Sequence, residues 1–292
     1  MYYKTTSYRI FTIFNSVFIF VLGLCCILPL IHILAVSFSD KAAVTGNLVN
    51  FLPIGFNWDA YHKSVDNPLF LKSLWISFER VVLGTMISMG LVILSSYPLS
   101  KDSGSLRGRM GFMWYFIFTM LFSGGLVPTY FLISKLHMNN TIWVLVLPGA
   151  VSVWNMILLM NFFRNVPKEL EEAALIDGAN QFQTLWKIYL PVSMPALATL
   201  SLFTLVGHWN SWFDGLMYMT RPENYPLATY LQTIVVSHNL KDLITNVNDV
   251  AKLTQRSVQA AQIFIAAVPV LIVYPFLQRH FVKGMVLGAV KE

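Results

Sequence analysis

The chain contains 292 residues, of which 56% are hydrophobic and only 12% are charged, whereas an average soluble domain has about 25% charged residues. This composition excludes a water-soluble domain, which needs far more polar surface, and indicates a polytopic α-helical membrane protein. The net charge of +6 comes mainly from basic residues in short segments between apolar runs, an arrangement typical of membrane topology signals rather than of nucleic-acid binding.

Six apolar runs are long enough to cross a bilayer, which takes roughly 18 residues or more. The first run follows Lys4 and Arg9 and is too long for the apolar core of a cleaved signal peptide, so we expect it to be a retained span. The six predicted spans, all within a single domain covering residues 1–292, are 11–36, 73–99, 110–134, 141–163, 195–217 and 257–278.

The Lys and Arg residues outside the spans are divided unevenly between the two sides of the membrane. Eleven lie at the termini and in the loops 100–109 and 164–194, all close to span ends. Eight lie on the other side, mostly in the long loops 39–70 and 220–256. Since basic residues near span ends favour the cytoplasmic side, we expect a multi-pass protein with both termini in the cytoplasm.

The loop 164–194 is predicted to form two short helices. Pro167 suits the first helical position, acidic residues in the following turns are favoured by the helix dipole, and Gly178 suits a helix stop. A second helix is indicated by four large side chains at the spacing of one helix face, and we expect Pro191 to end it. These four residues are Phe182, Leu185, Trp186 and Tyr189.

The residues from Glu172 to Pro191 follow the spacing E-A-A-x3-G-x9-I-x-L-P. This spacing resembles the EAA loop of bacterial ABC importer permeases, and the chain is similar to carbohydrate permeases of the maltose-permease class over nearly its whole length. Segments 122–130, 207–212 and 274–284 resemble one branch of that class, whose members transport complex or acidic oligosaccharides, including alginate.

The resemblance implies an all-α type I ABC importer permease fold (MetI-like), with six transmembrane helices and a cytoplasmic coupling helix. It also implies that the loop docks into a cleft on an ATPase subunit, where a glutamate at the position of Glu172 pairs with an arginine. The alternative is a surface helix whose glutamates only favour its N-terminus, but this leaves the downstream spacing unexplained. The implied coupling residues are Glu171, Glu172, Ala173, Ala174, Asp177, Gly178, Ile188, Leu190 and Pro191.

Further components follow from the same resemblance. They are a second homologous permease subunit, two ATPase subunits, an extracytoplasmic solute-binding protein and an oligosaccharide substrate, assembled in the lipid of the bacterial cytoplasmic (inner) membrane. The sequence contains no GxxxxGK[ST] phosphate loop, so we expect ATP and Mg to bind to the partner ATPases and this chain to be a transport subunit, not an enzyme. Its scattered histidines do not indicate a metal site.

Polar residues within the predicted spans require a structural or functional explanation, because inserting a charged residue at the centre of a membrane helix costs roughly 2.5–3.5 kcal/mol. Sugars bind through polar side chains and aromatic faces, which makes such residues candidates for the substrate pathway. The alternative is interhelical hydrogen bonding and, for the charges in the second span, a structural network. The candidates are Asn155, His208, Trp209, Asn210, Asp214, Glu79 and Arg80.

The functional hypothesis is therefore the permease subunit of a binding-protein-dependent ABC importer, which moves an oligosaccharide, acidic and alginate-like, with ATP hydrolysed by its partners. Two alternatives stay open. One is the same architecture importing a non-sugar solute such as a peptide. The other is a stand-alone secondary transporter, which would show buried coupling-ion residues and inverted repeats.

Overall fold

The computed structural model describes residues 5–102, 104, 106–244 and 250–289, with backbone only for 237–244, 250–254, 274 and 276–289. All regular secondary structure in this part of the chain is helical. Lys4 and Lys291, which contributed to the predicted orientation, lie outside the described residues. The chain forms two compact units, one of residues 1–70 and 233–268 and the other of residues 71–232 and 269–292.

The first unit contains the long helix α1 (Thr6–Ser37), the short helices α2 (Lys41–Thr45) and α3 (Asp59–Val65), and parts of the last two helices. α1 is exposed along most of its length, as expected for a lipid-facing span. The loop that follows α1 is folded against the end of that helix. Ser39 Oγ donates a hydrogen bond to the carbonyl of Ala35 at 2.6 Å and accepts one from the amide of Ile54 at 3.0 Å.

The second unit contains most of the remaining helices. They are α4 (Pro68–Ser100), α5 (Arg109–Leu121), α6 (Leu126–Lys135), α7 (Ile142–Val146), α8 (Val153–Arg164), α9 (Lys168–Ile176), α10 (Gln181–Thr184), α11 (Leu190–Val192), α12 (Met194–Asn210) and α13 (Phe213–Tyr218). Two further helices, α14 (Leu227–Ile244) and α15 (Val250–Ala289), contribute residues to both units, and residues 68–70 of α4 also belong to the first unit.

Three helices of the described residues are long and apolar enough to cross a membrane unbroken. They are α1, α4 and the Gln255–Val273 part of α15, which match the first, second and last predicted spans. Two bent helix pairs raise the number to five if each pair is counted as one span. The count of six therefore stays a prediction.

Two of the other predicted spans, 110–134 and 141–163, are broken where the sequence supplies glycine or proline, and the span 195–217 is broken at Ser211 and Trp212. α5 and α6 meet at an angle of 108°, and Gly125 at the break has φ +86, which a residue with a side chain rarely adopts. The predicted span 141–163 is divided between α7 and α8, with Pro148 and Gly149 in the connecting segment. A hydropathy pattern identifies these segments as apolar but does not predict the turns within them.

The second helix of the loop ends one residue after the predicted end at Pro191. The helix runs from Gln181 to Val192, and it bends by 83° before α12. A π-helical turn at Leu185–Tyr189 precedes the proline, and the Leu190 amide bonds to the Leu185 carbonyl, five residues back. Proline normally clashes with the carbonyl four residues earlier, and the wider π turn relieves this clash.

Gly215 of α13 packs closely against the segment that leads into α14, so we expect Gly215→Ala to destabilise the protein. A Cβ at this position would lie 2.9 Å from the Pro226 ring and closer still to Thr229 Oγ1, which is fixed by a 2.7 Å hydrogen bond to the Trp212 carbonyl. Overpacking of this kind costs roughly 1–3 kcal/mol, which thermal unfolding of the purified protein in detergent measures. Gly90→Ala is the control, since a Cβ there meets nothing within 4 Å; equal melting temperatures for the two variants would contradict the close contact.

Candidate functional site

Helix α9 forms where the loop pattern predicts it. Pro167 occupies the N-cap rather than the first helical position, and Glu169 and Glu171 lie in the first turn, where the helix dipole favours them. The helix ends at Asp177, and Gly178 follows with φ +79. The predicted helix stop is therefore confirmed, because this left-handed backbone favours glycine.

The ammonium group of Lys101, directly after α4, is enclosed by two tyrosine rings and one carboxylate. Lys101 Nζ lies 2.6 Å from Glu171 Oε1 and 3.0 Å from Tyr189 Oη. It also lies 4.2 and 4.1 Å from the ring centroids of Tyr97 and Tyr189, within range of a cation–π interaction. Tyr189 Oη donates to the second Glu171 oxygen at 2.6 Å. We call these four residues the lysine cage.

The lysine cage ties three elements together in a largely buried setting. The Lys101 and Glu171 side chains are only 11% and 18% exposed. Tyr97 Oη, near the end of α4, also donates to Gln181 Oε1 at 2.7 Å at the start of α10. The end of α4 is thus fixed to both short helices of the loop.

Charge and burial act in opposite directions on Glu171. Burial alone raises its pKa, but the hydrogen bonds from Lys101 and Tyr189 outweigh burial and hold the Glu171 pKa below its ordinary value. Burial also lowers the pKa of Lys101, and the pairing with Glu171 offsets this only in part. Two short hydrogen bonds, from Lys101 and Tyr189, fix the Glu171 carboxylate in its ionised form.

The other predicted coupling residues divide into an outward and an inward set. Exposed are Glu172, Ala173, Asp177, Gly178 and Pro191, whereas Ala174 and Ile188 are half-buried and Leu190 is buried. Several large apolar side chains are exposed on α9 and on the following helix: Leu170, Leu175, Ile176, Phe182 and Trp186. Glu171 is half-buried, whereas the other glutamates of α9 are exposed, and the exposed side chains give the loop an apolar and acidic surface.

A cavity of about 570 Å³ lies between α4, α12, α13 and the segment that joins α7 to α8. Four of the seven candidate pathway residues line it, and they come from four different helices, α4, α8, α12 and α13. These four are Arg80, Asn155, His208 and Asp214. The remaining three do not line this cavity: Trp209 is buried, Asn210 is exposed and Glu79 is half-buried.

Arg80 binds the residues at the break between α12 and α13. Its side chain is 3% exposed and forms an ion pair with Asp214 through both oxygens. Arg80 Nη1 also donates to the Ser211 carbonyl at 3.0 Å, and Ser211 is the C-cap of α12. Asp214, in the first turn of α13, accepts further hydrogen bonds from Ser211 Oγ at 3.0 Å and the Gly215 amide at 2.9 Å. The arginine therefore satisfies backbone and carboxylate groups that the broken helix leaves open.

Two more contacts bring the helices around the cavity close together. Gly84 lies one turn after Arg80 on α4, and a Cβ there would come within 2.8 Å of the His208 imidazole. Asn155 Nδ2 of α8 donates to Thr204 Oγ1 of α12 at 3.1 Å. Arg80, Asp214 and Asn155 therefore make interhelical contacts and also line the cavity.

Sequence reasoning missed several of these partners. In the sequence, Lys101 is only one of the basic residues of the loop 100–109 that indicate topology. Its partner Glu171 lies 70 residues away along the chain. Tyr189 was assigned to an apolar helix face, and neither Gly84 nor Ser211 was singled out. No local pattern points to them, because each acquires its role from a residue on another helix.

The comparison with known proteins agrees with this architecture. The family model described as "Binding-protein-dependent transport system inner membrane component" matches residues 2–287. The chain belongs to this family. It is 38% identical to the polygalacturonan/rhamnogalacturonan transport system permease protein YtcP of Bacillus subtilis strain 168, over 97% of this chain and 99% of YtcP. It is 37% identical to Protein LplC of the same organism, over 99% of this chain and 97% of LplC.

A solved structure is similar as well. The chain superposes with a TM-score of 0.85 and 33% identity on a chain of a bacterial ABC transporter involved in the import of the acidic polysaccharide alginate, covering 96% of this chain and 100% of that one. The all-helical MetI-like permease fold is thereby confirmed. The family consists of inner-membrane permease subunits of ABC transporters rather than enzymes, and membership implies a second permease, ATPases and a binding protein as partners.

We expect the lysine cage to make the fold sensitive to acid. Because the folded-state pKa of Glu171 is below its ordinary value, its stabilisation is complete above the unfolded-state pKa of about 4.3 and is lost as the pH falls through the lower folded-state value. Melting temperatures measured in detergent from neutral to acidic pH should show this loss in the wild type. Glu171→Gln should remove that part of the pH dependence and the exposed control Glu169→Gln should keep it; the same acid profile in wild type and Glu171→Gln would contradict the assignment.

We expect Arg80 and Asp214 to be strongly coupled in a double-mutant cycle. Arg80→Gln and Asp214→Asn each leave a desolvated partner, at a cost of about 3–5 kcal/mol for a buried pair. The double variant should lose less than the two single losses combined, with a coupling of roughly 0.5–3 kcal/mol. Unfolding of the purified protein gives the free energies, and additive losses would show that the pair does not hold the helix break.

Proposed function

We propose that this chain is a permease subunit of an ABC importer that carries an oligosaccharide of the acidic, alginate-like type across the bacterial cytoplasmic membrane. The observation that carries the proposal is full-length similarity to two sugar-related transport proteins. One is a permease for polygalacturonan and rhamnogalacturonan, and the other is part of an alginate importer. The polymers named for both are rich in sugar acids. A stand-alone secondary transporter does not agree with membership of a binding-protein-dependent family.

The proposed coupling helix is α9. Glu172 of this helix is exposed and available for a charge-assisted contact with an arginine of an ATPase subunit. The small side chains of Ala173 and Ala174 allow close approach of a partner, and the exposed Leu175 and Ile176 supply apolar area. Glu171, the neighbouring glutamate, faces inward to Lys101. We therefore assign the two adjacent glutamates different roles, one towards the ATPase and one towards the membrane helices.

Helix α4 is proposed to transmit the movement of α9 to the cavity. It is unbroken from Pro68 to Ser100, so it moves as a rod. Tyr97 at one end belongs to the lysine cage, and Arg80, 17 residues earlier, lines the cavity. At a rise of about 1.5 Å per residue, this places the two sites roughly 25 Å apart on one rigid element.

The cavity offers groups that suit a sugar. Its size lies within the range of roughly 300–1,000 Å³ typical of small-molecule sites, and Phe203, Phe213 and Tyr218 supply aromatic surface. The guanidinium of Arg80 is already paired with Asp214, so the amide, hydroxyl and imidazole groups are the ones left for sugar hydroxyls. The assignment to acidic sugars thus rests on the relatives and not on a surplus of positive charge in the cavity.

In the assembled importer, this chain and a second permease would each contribute six spans, with both termini and the loop 164–194 in the cytoplasm. The bent helix pairs and the α7–α8 segment would complete the six spans. ATP and Mg would bind to two ATPase subunits, and a binding protein would deliver the sugar from outside. Closure of the ATPases would shift α9 and switch the path between two orientations, a rigid-body transition between two states.

We expect Glu172→Lys to uncouple or dissociate the ATPase while the membrane helices still insert. The substitution replaces the proposed partner of an arginine with a like charge. Solute uptake and solute-stimulated ATP hydrolysis should both fall at least several-fold in proteoliposomes that contain the reconstituted importer. Glu169→Lys, which makes the same charge change on an exposed residue of the same helix, should stay close to wild type. Normal stimulation in Glu172→Lys would overturn the assignment of α9.

We expect uronate-containing oligosaccharides to stimulate ATP hydrolysis more strongly than neutral oligosaccharides or peptides. The measurement is the ATPase rate of the reconstituted importer, with its binding protein, across a panel of these three solute classes. Stimulation by neutral sugars alone would leave the importer assignment intact and reject the acidic class. Stimulation by peptides alone would reject the sugar assignment.

A further inference from the structure

Two arginine side chains in the second unit converge on one sulfur atom. Arg109 opens α5 and Arg164 closes α8. Their Nη2 atoms lie 3.9 and 4.0 Å from Met113 Sδ. Arg109 Nε also donates to the Leu99 carbonyl at 2.9 Å, and Arg164 Nη2 lies 3.7 Å from Met160 Sδ. Among the described residues, neither guanidinium has a carboxylate within 4 Å.

Both arginines line a cavity of about 510 Å³ whose other charges are largely paired with each other. Lys101 pairs with Glu171 at 2.6 Å, and Lys168 pairs with Asp102 at 2.7 Å. Asp102 also lies close enough to Arg109 to interact with its charge. Glu172 is the one lining carboxylate of the described residues outside these pairs. The cavity is thus lined by four basic and three acidic side chains, and neither guanidinium group has its own carboxylate partner. This excess of positive charge favours an anion between the two arginines.

An apolar groove of about 510 Å³ begins next to Arg109. It runs along the first two turns of α5, where Phe112 and Tyr115 are 55% and 63% exposed. Gly111 lies in the groove, and a Cβ there would meet nothing within 4 Å. Since residues three and four apart are neighbours on a helix, Arg109 lies beside Phe112 at the rim. The groove is lined by Gly108, Gly111, Phe112, Tyr115 and Phe116.

We propose that the two arginines and this groove form a binding site for an anionic phospholipid. The phosphate group would accept hydrogen bonds from Arg109 and Arg164, since guanidinium groups match phosphate geometry. An acyl chain would lie in the groove over Gly111. The charge complementarity commits the groove to this occupant, because Arg109 follows the groove residue Gly108 directly and has no carboxylate within 4 Å among the described residues. The basic ends of both helices are on the side predicted to be cytoplasmic, and basic pockets between membrane helices on that side bind lipid headgroups.

The site does not depend on which solute is transported. Glu171 and Glu172 of α9 line the same cavity as the two arginines. A bound lipid would therefore contact the base of the proposed coupling helix.

The test is lipid retention by the complete importer complex. The complex is extracted from vesicles of phosphatidylglycerol and phosphatidylcholine, and native mass spectrometry counts the lipids that stay bound. We expect the wild type to retain phosphatidylglycerol in preference to phosphatidylcholine, and Arg164→Gln to retain it several-fold less. Arg107→Gln, which removes an exposed charge from the neighbouring loop outside both cavities, should match the wild type. Equal retention of phosphatidylglycerol in wild type and Arg164→Gln would overturn the proposal.

A second variant separates the lipid from other occupants. Gly111→Leu fills the groove and leaves both arginines in place, so we expect it to lower phosphatidylglycerol retention as well. If Gly111→Leu retains the lipid normally and millimolar inorganic phosphate displaces it, the site holds a free phosphate and the proposal fails. If Gly111→Leu instead prevents assembly with the second permease, the groove is a subunit interface and the proposal also fails.

Discussion

A polar group inside a bilayer has to find its partner within the protein, and Arg80 shows how this constraint shapes the fold. The break between α12 and α13 leaves the Ser211 carbonyl open and places the Asp214 carboxylate in the first turn of α13, within the predicted span 195–217. Both are satisfied by one guanidinium from α4. Without it, the break would leave a backbone acceptor and a charge unpaired, each at a cost of several kcal/mol. With Arg80 in place, α12 can end at Asn210, and the residues at the break line one side of a polar cavity. The cavity thus exists because an arginine on a neighbouring helix makes an interrupted span tolerable.

The same helix repeats this solution just after its last residue, near the predicted cytoplasmic surface. There the ammonium of Lys101 is held by the Glu171 carboxylate and two tyrosine rings. α4 is therefore linked by charged contacts to two elements that are not continuous spans, to α13 through Arg80 in its middle part and to α9 through Lys101 after its end. α4 itself has no break between Pro68 and Ser100. We therefore propose that a displacement of α9 moves α4 as one rigid helix and so reaches the cavity.

The sequence predicts those parts of this arrangement that depend on neighbours along the chain. Long apolar runs predict α1, α4 and α15, and Pro167, the acidic first turn and Gly178 predict α9 and its end. The π turn before Pro191 and the bend at Gly125 were not predicted, because hydropathy averages over such turns. The pairs Lys101–Glu171 and Arg80–Asp214 join residues 70 and 134 positions apart, and no local pattern specifies which helix faces meet. The resemblance assigns the contact with the ATPase to Glu172 and gives no partner for its neighbour Glu171. They point in directions about 100° apart on a helix, and only the position of Lys101 decides that Glu171 turns inward.

We propose that the lysine cage carries movement from α9 to α4. The measurement that tests this is the ratio of solute transported to ATP hydrolysed. Lys101→Met removes the buried ammonium and keeps a side chain of similar length. Lys168→Met removes the pair with Asp102, whose side chains are 72% and 75% exposed, and solvent screening makes such exposed pairs weak. The account predicts that Lys101→Met lowers the ratio several-fold in reconstituted importer while ATP hydrolysis continues, and that Lys168→Met leaves the ratio at the wild-type value. A wild-type ratio in Lys101→Met, with the complex intact, would contradict the account.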